Sequence, residues 1–261
     1  MLRVVHLCSA KSDAEETVIP EAVTALLEEF AELFEEPHGL PPQRSFDHAI
    51  DLLPGATPVN IRPYRYNPAQ KDEIEAQVVD MLNQGIIQII GSPFASPVLL
   101  VYKKDSEWRF CIDFHHLNTI TIKNRYPLPV IDELLDELAG AKWFSKLDLR
   151  AGFHQIRMAE GEEYKTAFQT HSGHWEFRVM PFGVAGGPST FNGAIHTTLR
   201  PVNGVCVISF FDDILIFSKT YKEHLEHLAL VLEALRKHQL YAKISKCTFA
   251  QSKVEYLGYV I

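Results

Sequence analysis

The sequence predicts an α+β fold. Its strand-like and helical stretches come in runs, without the β-α-β alternation that a parallel sheet requires. Helical stretches are marked by apolar residues at 3–4 spacing, and strand-like ones by short β-branched or aromatic runs between turn residues. Of the 261 residues, 46% are hydrophobic, enough for one large domain or two subdomains with their own cores.

Taken in order, residues 1–18 show no clear period. Residues 21–36 predict an acidic amphipathic helix with Leu26, Leu27, Phe30, Leu33 and Phe34 on one face, stopped by Pro37 and Gly39-Leu40-Pro41-Pro42. Extended segments follow over 46–52 and 59–66. Asn67 then offers an N-cap, Pro68 a first helical residue and Gln70 the far half of a capping box. That helix buries Ile74, Val78, Met81 and Leu82 and stops at Gly85. Strands are expected over 86–90, 98–102 and 108–113, then a short helix over 130–138. Further strands are expected over 143–148, 154–158 and 164–169, with His171-Ser172-Gly173-His174 turning into another over 175–180. A helix from about Pro188 to Leu199 precedes an apolar segment and a long helix over 221–238, whose Leu225, Leu228, Leu232 and Leu235 mark a packed face. Residues 254–261 read as one strand.

Composition narrows the possible classes. No apolar run approaches the ~20 residues that cross a bilayer, so no membrane partner is expected. The first residues lack the basic and long apolar stretches of a secretory signal. Cys8, Cys111, Cys206 and Cys247 show no CxxC spacing, which argues against zinc fingers and disulfides; three lie in apolar surroundings and are expected as buried thiols in a reducing compartment. His224 and His227 fall on a polar helix face, and neither they nor His115-His116 have convincing ligand spacing. The net charge is −8, but residues 1–100 hold 6 Lys+Arg against 15 Asp+Glu while 101–200 hold 12 of each. The acidity belongs to the first segment, and weak polyanion binding is all that the remainder predicts.

Within the apolar segment, Phe210-Phe211-Asp212-Asp213-Ile214-Leu215-Ile216-Phe217 sets two adjacent carboxylates in a buried strand or a tight hairpin. Ionised carboxylates in such surroundings need a cation or hydrogen bonds, and two together repel each other. Divalent metal chemistry and a solvated hairpin tip both satisfy that requirement. Asp148 ends a second apolar run, Trp143 to Asp148. If the two strands are neighbours, three carboxylates converge as a hard-cation site suited to phosphoryl transfer.

The motifs in sequence order resemble the reverse transcriptase of gypsy-type LTR retrotransposons, those of plants especially. They are Ser92-Pro93-Phe94-Ala95-Ser96-Pro97-Val98; Trp108-Arg109-Phe110-Cys111-Ile112-Asp113; Phe144 to Ile156; Lys165-Thr166-Ala167-Phe168; Val179-Met180-Pro181-Phe182-Gly183; Phe210 to Leu215; and Leu257-Gly258. The resemblance covers about residues 22–261 and implies a right-hand polymerase with fingers and palm, the palm an antiparallel sheet packed on helices. It implies an acidic lead-in over 1–45, fingers mainly over 46–142 and palm mainly over 143–261, with fingers residues in 160–180. The thumb, connection and RNase H regions that follow in the family are not expected within this chain.

The resemblance also implies roles. Asp148, Asp212 and Asp213 match the family's metal-binding aspartates, with the Leu149 carbonyl as a further ligand to two Mg²⁺ ions, for which Mn²⁺ can substitute. Lys103 and Arg109 match fingers residues holding the incoming dNTP; their even spacing puts both on one strand face. Phe153 resembles the aromatic gate beneath the sugar, Phe182 and Gly183 the loop beside the nucleotide, and Leu257, Gly258 and Tyr259 the start of the primer grip. Lys243 or Lys246 matches the lysine near pyrophosphate. The partners would be an RNA or DNA template with its primer, and the setting intracellular, a cytoplasmic particle or the nucleus. Departures from the family pattern are Gly186-Gly187, His115, Ser106-Glu107, Arg178 and Phe210. With the missing thumb they motivate a competing reading, a non-catalytic relic that binds nucleic acid weakly. A metal nuclease is a third reading, because three carboxylates also suit hydrolysis; Phe153 and the fingers cations, placed for a nucleotide, disfavour it.

Overall fold

A computed structural model describes residues 20–37, 39–102, 108–124 and 130–261. In chain order the elements are helix α1 (Glu21–Glu29), α2 (Pro68–Asn83), strands β1 (Ile87–Ile89), β2 (Ser96–Tyr102) and β3 (Trp108–Ile112), α3 (His115–Thr119), α4 (Ile131–Asp136), β4 (Trp143–Asp148), β5 (Phe168–Gln169), β6 (His174–Phe177), α5 (Gly187–Leu199), β7 (Val207–Phe210), β8 (Asp213–Ser218), α6 (Tyr221–Lys237), β9 (Thr248–Gln251), β10 (Glu255–Tyr256) and β11 (Tyr259–Val260). They fall into two units. One holds the described residues of Pro37–Pro127 and Ala151–Gly193, the other those of Met1–Glu36, Leu128–Arg150 and Ala194–Ile261.

The Pro37–Pro127 and Ala151–Gly193 unit is built on a five-stranded sheet of order β1-β6-β5-β2-β3, antiparallel except where β2 meets β5. Helix α2 starts where Asn67 and Gln70 exchange the expected reciprocal capping bonds, with Pro68 at its first turn. Its Ile74 and Val78 pack into a core with Ile86, Ile87, Val98, Phe168, Trp175, Phe177 and Val179. The strand expected over 154–158 does not form. Ala151 enters a 3-10 turn over Gly152–Gln155 at φ +43, and only Arg157 and Met158 make isolated bridges, to Val179 and His48. A backbone that reverses through a tight turn cannot hold a ladder, whatever its side-chain alternation.

The other unit is built on a four-stranded antiparallel sheet of order β7-β8-β4-β9. Helix α6 covers one face, its Leu228, Val231, Leu232 and Leu235 buried as the leucine spacing predicts. The helix expected over 21–36 ends early: Phe30 leaves helical geometry and a 3-10 turn over Ala31–Phe34 follows, which lets Phe34 meet the edge of the Phe249 ring. The expected terminal strand is a hairpin. Leu257 and Gly258 both take positive φ, +51 and +83, as a two-residue turn needs, and join β10 to β11. Of the described cysteines only Cys206 is buried; Cys111 and Cys247 are half-buried. Cys8, like Lys103 and Ser106-Glu107, lies outside the described residues.

His224 is also a correction, since it lies on no polar face but is fully buried. Its Nε2 is 2.7 Å from Ser145 Oγ on β4 and its Nδ1 3.0 Å from Ser218 Oγ on β8, which His227 Nδ1 also reaches at 2.8 Å. Ser145 Oγ in turn accepts the Ala250 N–H at 2.9 Å. The network ties α6 to three strands and satisfies groups that burial would otherwise penalise.

Burial, with His227 beside it, pushes the His224 imidazole down from 6.5 to about 4. Between those values the unfolded chain binds the extra proton, so His224 contributes stability that is full above about 6.5 and lost as pH falls toward 4. Urea unfolding across that range should show a slope of up to a few kcal/mol in total, flattened in His224→Gln, which does not titrate.

Candidate catalytic site

Asp148 closes β4, and the antiparallel register pairs it with Asp213, the first residue of β8. Phe210 pairs with the same Asp213 from β7, so Phe211 and Asp212 form a two-residue hairpin turn. Phe211 carries that turn at φ +54, a region that costs a non-glycine residue about 1 kcal/mol or more. The paired acids are thus both a hairpin tip and a strand start: Asp212 is exposed in the turn, Asp213 half-buried on the sheet. Leu149 N–H donates to the Asp212 carbonyl at 3.2 Å and Lys243 N–H to the Asp148 carbonyl at 2.9 Å, which pins the main chain around Asp148.

Strand parity then sorts the side chains. Phe144, Lys146 and Asp148 share a sheet face with Phe217, Leu215 and Asp213. At one end of this face Phe144, Leu215 and Phe217 pack with Leu134, Leu138, Val254 and the fully buried Tyr256. At the other end the charged residues emerge. The Tyr256 hydroxyl donates to the Asp213 carbonyl at 3.4 Å, and burial first, then the Asp213 charge, raises its pKa far above the usual phenol value.

Two ammonium groups neutralise the facing carboxylates. Lys146 Nζ stands 3.0 Å from Asp213 Oδ1, and Lys246 Nζ 3.3 Å from Asp148 Oδ2. Lys246, and not Lys243, is therefore the lysine whose side chain reaches the acids. Among the described residues, no three His, Cys, Asp or Glu side chains are gathered tightly enough to hold a metal ion. By donor chemistry the residues still suit a hard cation, since two carboxylates face each other in register and a third is one residue away.

In the other unit Phe153 stacks on Phe182 with ring centroids 5.0 Å apart and tilts against the buried Phe191 at 5.4 Å. Gly152 permits this, because a Cβ there would stand 2.9 Å from the Phe191 ring. Gly183 sits at φ +92 and is held by a residue that the sequence did not single out. The Asn118 side chain donates to the Gly183 carbonyl at 2.8 Å and accepts the Ala185 N–H at 2.7 Å. Its partners are 65 and 67 residues away, so no local pattern marks it. Arg109 is exposed on β3 opposite Val101. Leu257, Gly258 and Tyr259 form the tip and far side of the terminal hairpin, with Leu257 against the Tyr256 cluster.

Known proteins share this chain's sequence and fold. Residues 101–261 match the family described as reverse transcriptase (RNA-dependent DNA polymerase). Over 247 residues the chain is 37% identical to the retrovirus-related Pol polyprotein from transposon opus of Drosophila melanogaster, a match covering 92% of this chain and 24% of that protein. It is 39% identical over 210 residues to the Pol polyprotein from Drosophila transposon 297, covering 78% and 20%. With the Tf2-3 polyprotein of Schizosaccharomyces pombe it shares 35% over 220 residues, covering 84% and 16%. The chain spans about a quarter or less of these relatives. In fold it is similar to the foamy viral protease-reverse transcriptase in complex with RNA/DNA hybrid, with a TM-score of 0.83 at 23% identity over 94% of this chain and 33% of that one. The foamy viral protease-reverse transcriptase dRH in complex with double-stranded DNA gives 0.82 at 23% identity, covering 94% and 44%.

Removing the Asn118 amide leaves the Gly183 carbonyl and Ala185 N–H without their partner. Asn118→Ala should cost about 1 kcal/mol, since the exposed Gly183 carbonyl can rehydrate. Hydrogen exchange should speed up at Ala185 while the far-UV spectrum stays native; unchanged exchange there would show that the amide does not hold the loop.

Proposed function

Because this chain belongs to the reverse transcriptase (RNA-dependent DNA polymerase) family, we propose that it is the RNA-directed and DNA-directed DNA polymerase module of a gypsy-type LTR retrotransposon. The observation that carries this reading is the in-register pairing of Asp148 with Asp213 at the charged end of an otherwise apolar sheet face. We read the unit containing β7-β8-β4-β9 as the palm and the other as the fingers.

Asp148, Asp212 and Asp213, with the Leu149 carbonyl, would hold two divalent cations, Mg²⁺ in the first place and Mn²⁺ as a substitute. When bound, such ions supply charge neutralisation and lower the pKa of a primer 3′-hydroxyl. The reaction joins that 3′-oxygen to the α-phosphorus of a dNTP and breaks the bond to pyrophosphate, so the protein's task is positioning and charge stabilisation. Lys103 and Arg109 bind the triphosphate as paired cations. Phe153, backed by Phe182 and Phe191, presents a ring where a 2′-hydroxyl would clash. Asn118 keeps the Gly183 main chain open beside the nucleotide, and Lys246 serves the leaving pyrophosphate. Leu257, Gly258 and Tyr259 meet the primer, and an RNA or DNA template is the other strand.

A second reading, a folded but non-catalytic polymerase-like domain, is favoured by the two lysines on the carboxylates and by Gly186-Gly187 at the start of α5. One assay decides between them. Extension of oligo(dT) on poly(rA) with Mg²⁺ should proceed, and fall by roughly a thousandfold in Asp212→Asn and in Asp213→Asn. Extension that is absent, or indifferent to both substitutions at high protein and low salt, would sink catalysis by this chain. In an active preparation, Phe153→Val should raise ribonucleotide over deoxyribonucleotide use by about tenfold or more, read as a ratio of kcat/KM values.

A further inference from the structure

Lys146 has no role in the polymerase reaction proposed above, yet it makes the closer of the two contacts to the facing acids. It lies two residues before Asp148 on β4, so parity puts both on one face. Its neighbours in register are Leu215 on β8 and Thr248 on β9. Its stem therefore runs over the sheet, beside the apolar cluster of Phe144, Leu215 and Phe217. The side chain is 23% exposed against 57% for Lys246, and its partner Asp213 28%. Lys146 is thus the less hydrated of the two lysines, while of the acids Asp148 is the more buried, at 17%.

The ammonium stands 3.0 Å from Asp213 Oδ1, on an acceptor that an incoming cation needs. Three carboxylates against two lysines leave this corner with a formal charge of −1. A divalent ion that takes Asp213 must loosen an existing ion pair and then lie near a fixed positive charge, and both effects weaken its binding.

We propose that Lys146 is a built-in counter-ion that competes with divalent cations for Asp213 and sets the cation concentration at which the site loads. In the cation-free chain it holds the Asp213 carboxylate in place, so it is a positioning residue. The proposal rests on the metal-dependent reading of the aspartates given above.

The test is a Mn²⁺ titration of the whole chain without nucleic acid, following the electron paramagnetic resonance signal of the free aqua ion. Lys146→Met, and beside it Lys146→Gln in case the first does not fold, should bind Mn²⁺ about tenfold more tightly than the parent. Lys146→Arg, which restores the charge, should stay near the parent. The Mg²⁺ concentration for half-maximal primer extension should fall by a similar factor in the two neutral variants. Binding equal to or weaker than the parent's in natively folded Lys146→Met or Lys146→Gln overturns the proposal. If Asp213→Asn abolishes Mn²⁺ binding while the lysine variants leave it unchanged, only the counter-ion role fails. If Asp213→Asn leaves Mn²⁺ binding intact, the metal-site reading fails and takes this inference with it.

Discussion

The antiparallel register between β4 and β8 is the constraint on which the charged corner depends. Pairing Trp143 with Ser218 fixes every later pair down to Asp148 with Asp213. Side chains alternate with a period of two, so a slip of one residue would turn Asp213 toward α6 and bury it among leucines. The register is held from both sides. On the helix side Ser145 and Ser218 share His224, and on the other Phe144, Leu215 and Phe217 lock into one cluster. The two-residue turn fixes the neighbouring β7–β8 register in the same way, because it leaves no slack for an alternative pairing of those two strands.

Charge follows from the same geometry. A sheet face that is apolar at one end and acidic at the other must find positive charge locally, because carboxylates half out of water repel one another. Lys146 and Lys246 supply it from the strand itself and from the 3-10 turn over Ile244–Lys246. In the other unit one side-chain amide stands in for a strand. Asn118 gives the Gly183–Ala185 main chain one donor and one acceptor, the pair a neighbouring strand would otherwise offer.

Much of this was legible in the sequence, and the exceptions share a cause. The capping box at Asn67 and Gln70, the leucine face of α6 and the apolar run ending at Asp148 are local signals, and each marks its element. So was the ambiguity of the Phe210–Phe217 segment, where strand and hairpin both turned out to be present. What escaped was set by distant partners or by single dihedrals. Ala151 and Leu257 adopt positive φ without being glycine, which no residue-type pattern reveals, and each breaks an expected strand. His224 looked solvated because its helix is rich in charge, yet serines on two strands draw it inside. Asn118 had no signal at all, its partners lying on a loop 65 residues further on.

The strand order has a consequence for how the unit comes apart. With β7 and β9 at the edges of the four-stranded sheet, β8 and β4 are its two interior strands. Fraying begins at edges, where a strand has a neighbour on one side only. Loss of β9 or of most of β7 would still leave Asp148 hydrogen-bonded territory shared with Asp213. The two carboxylates therefore sit on the interior strand pair, at its last registered position, and not on an edge strand.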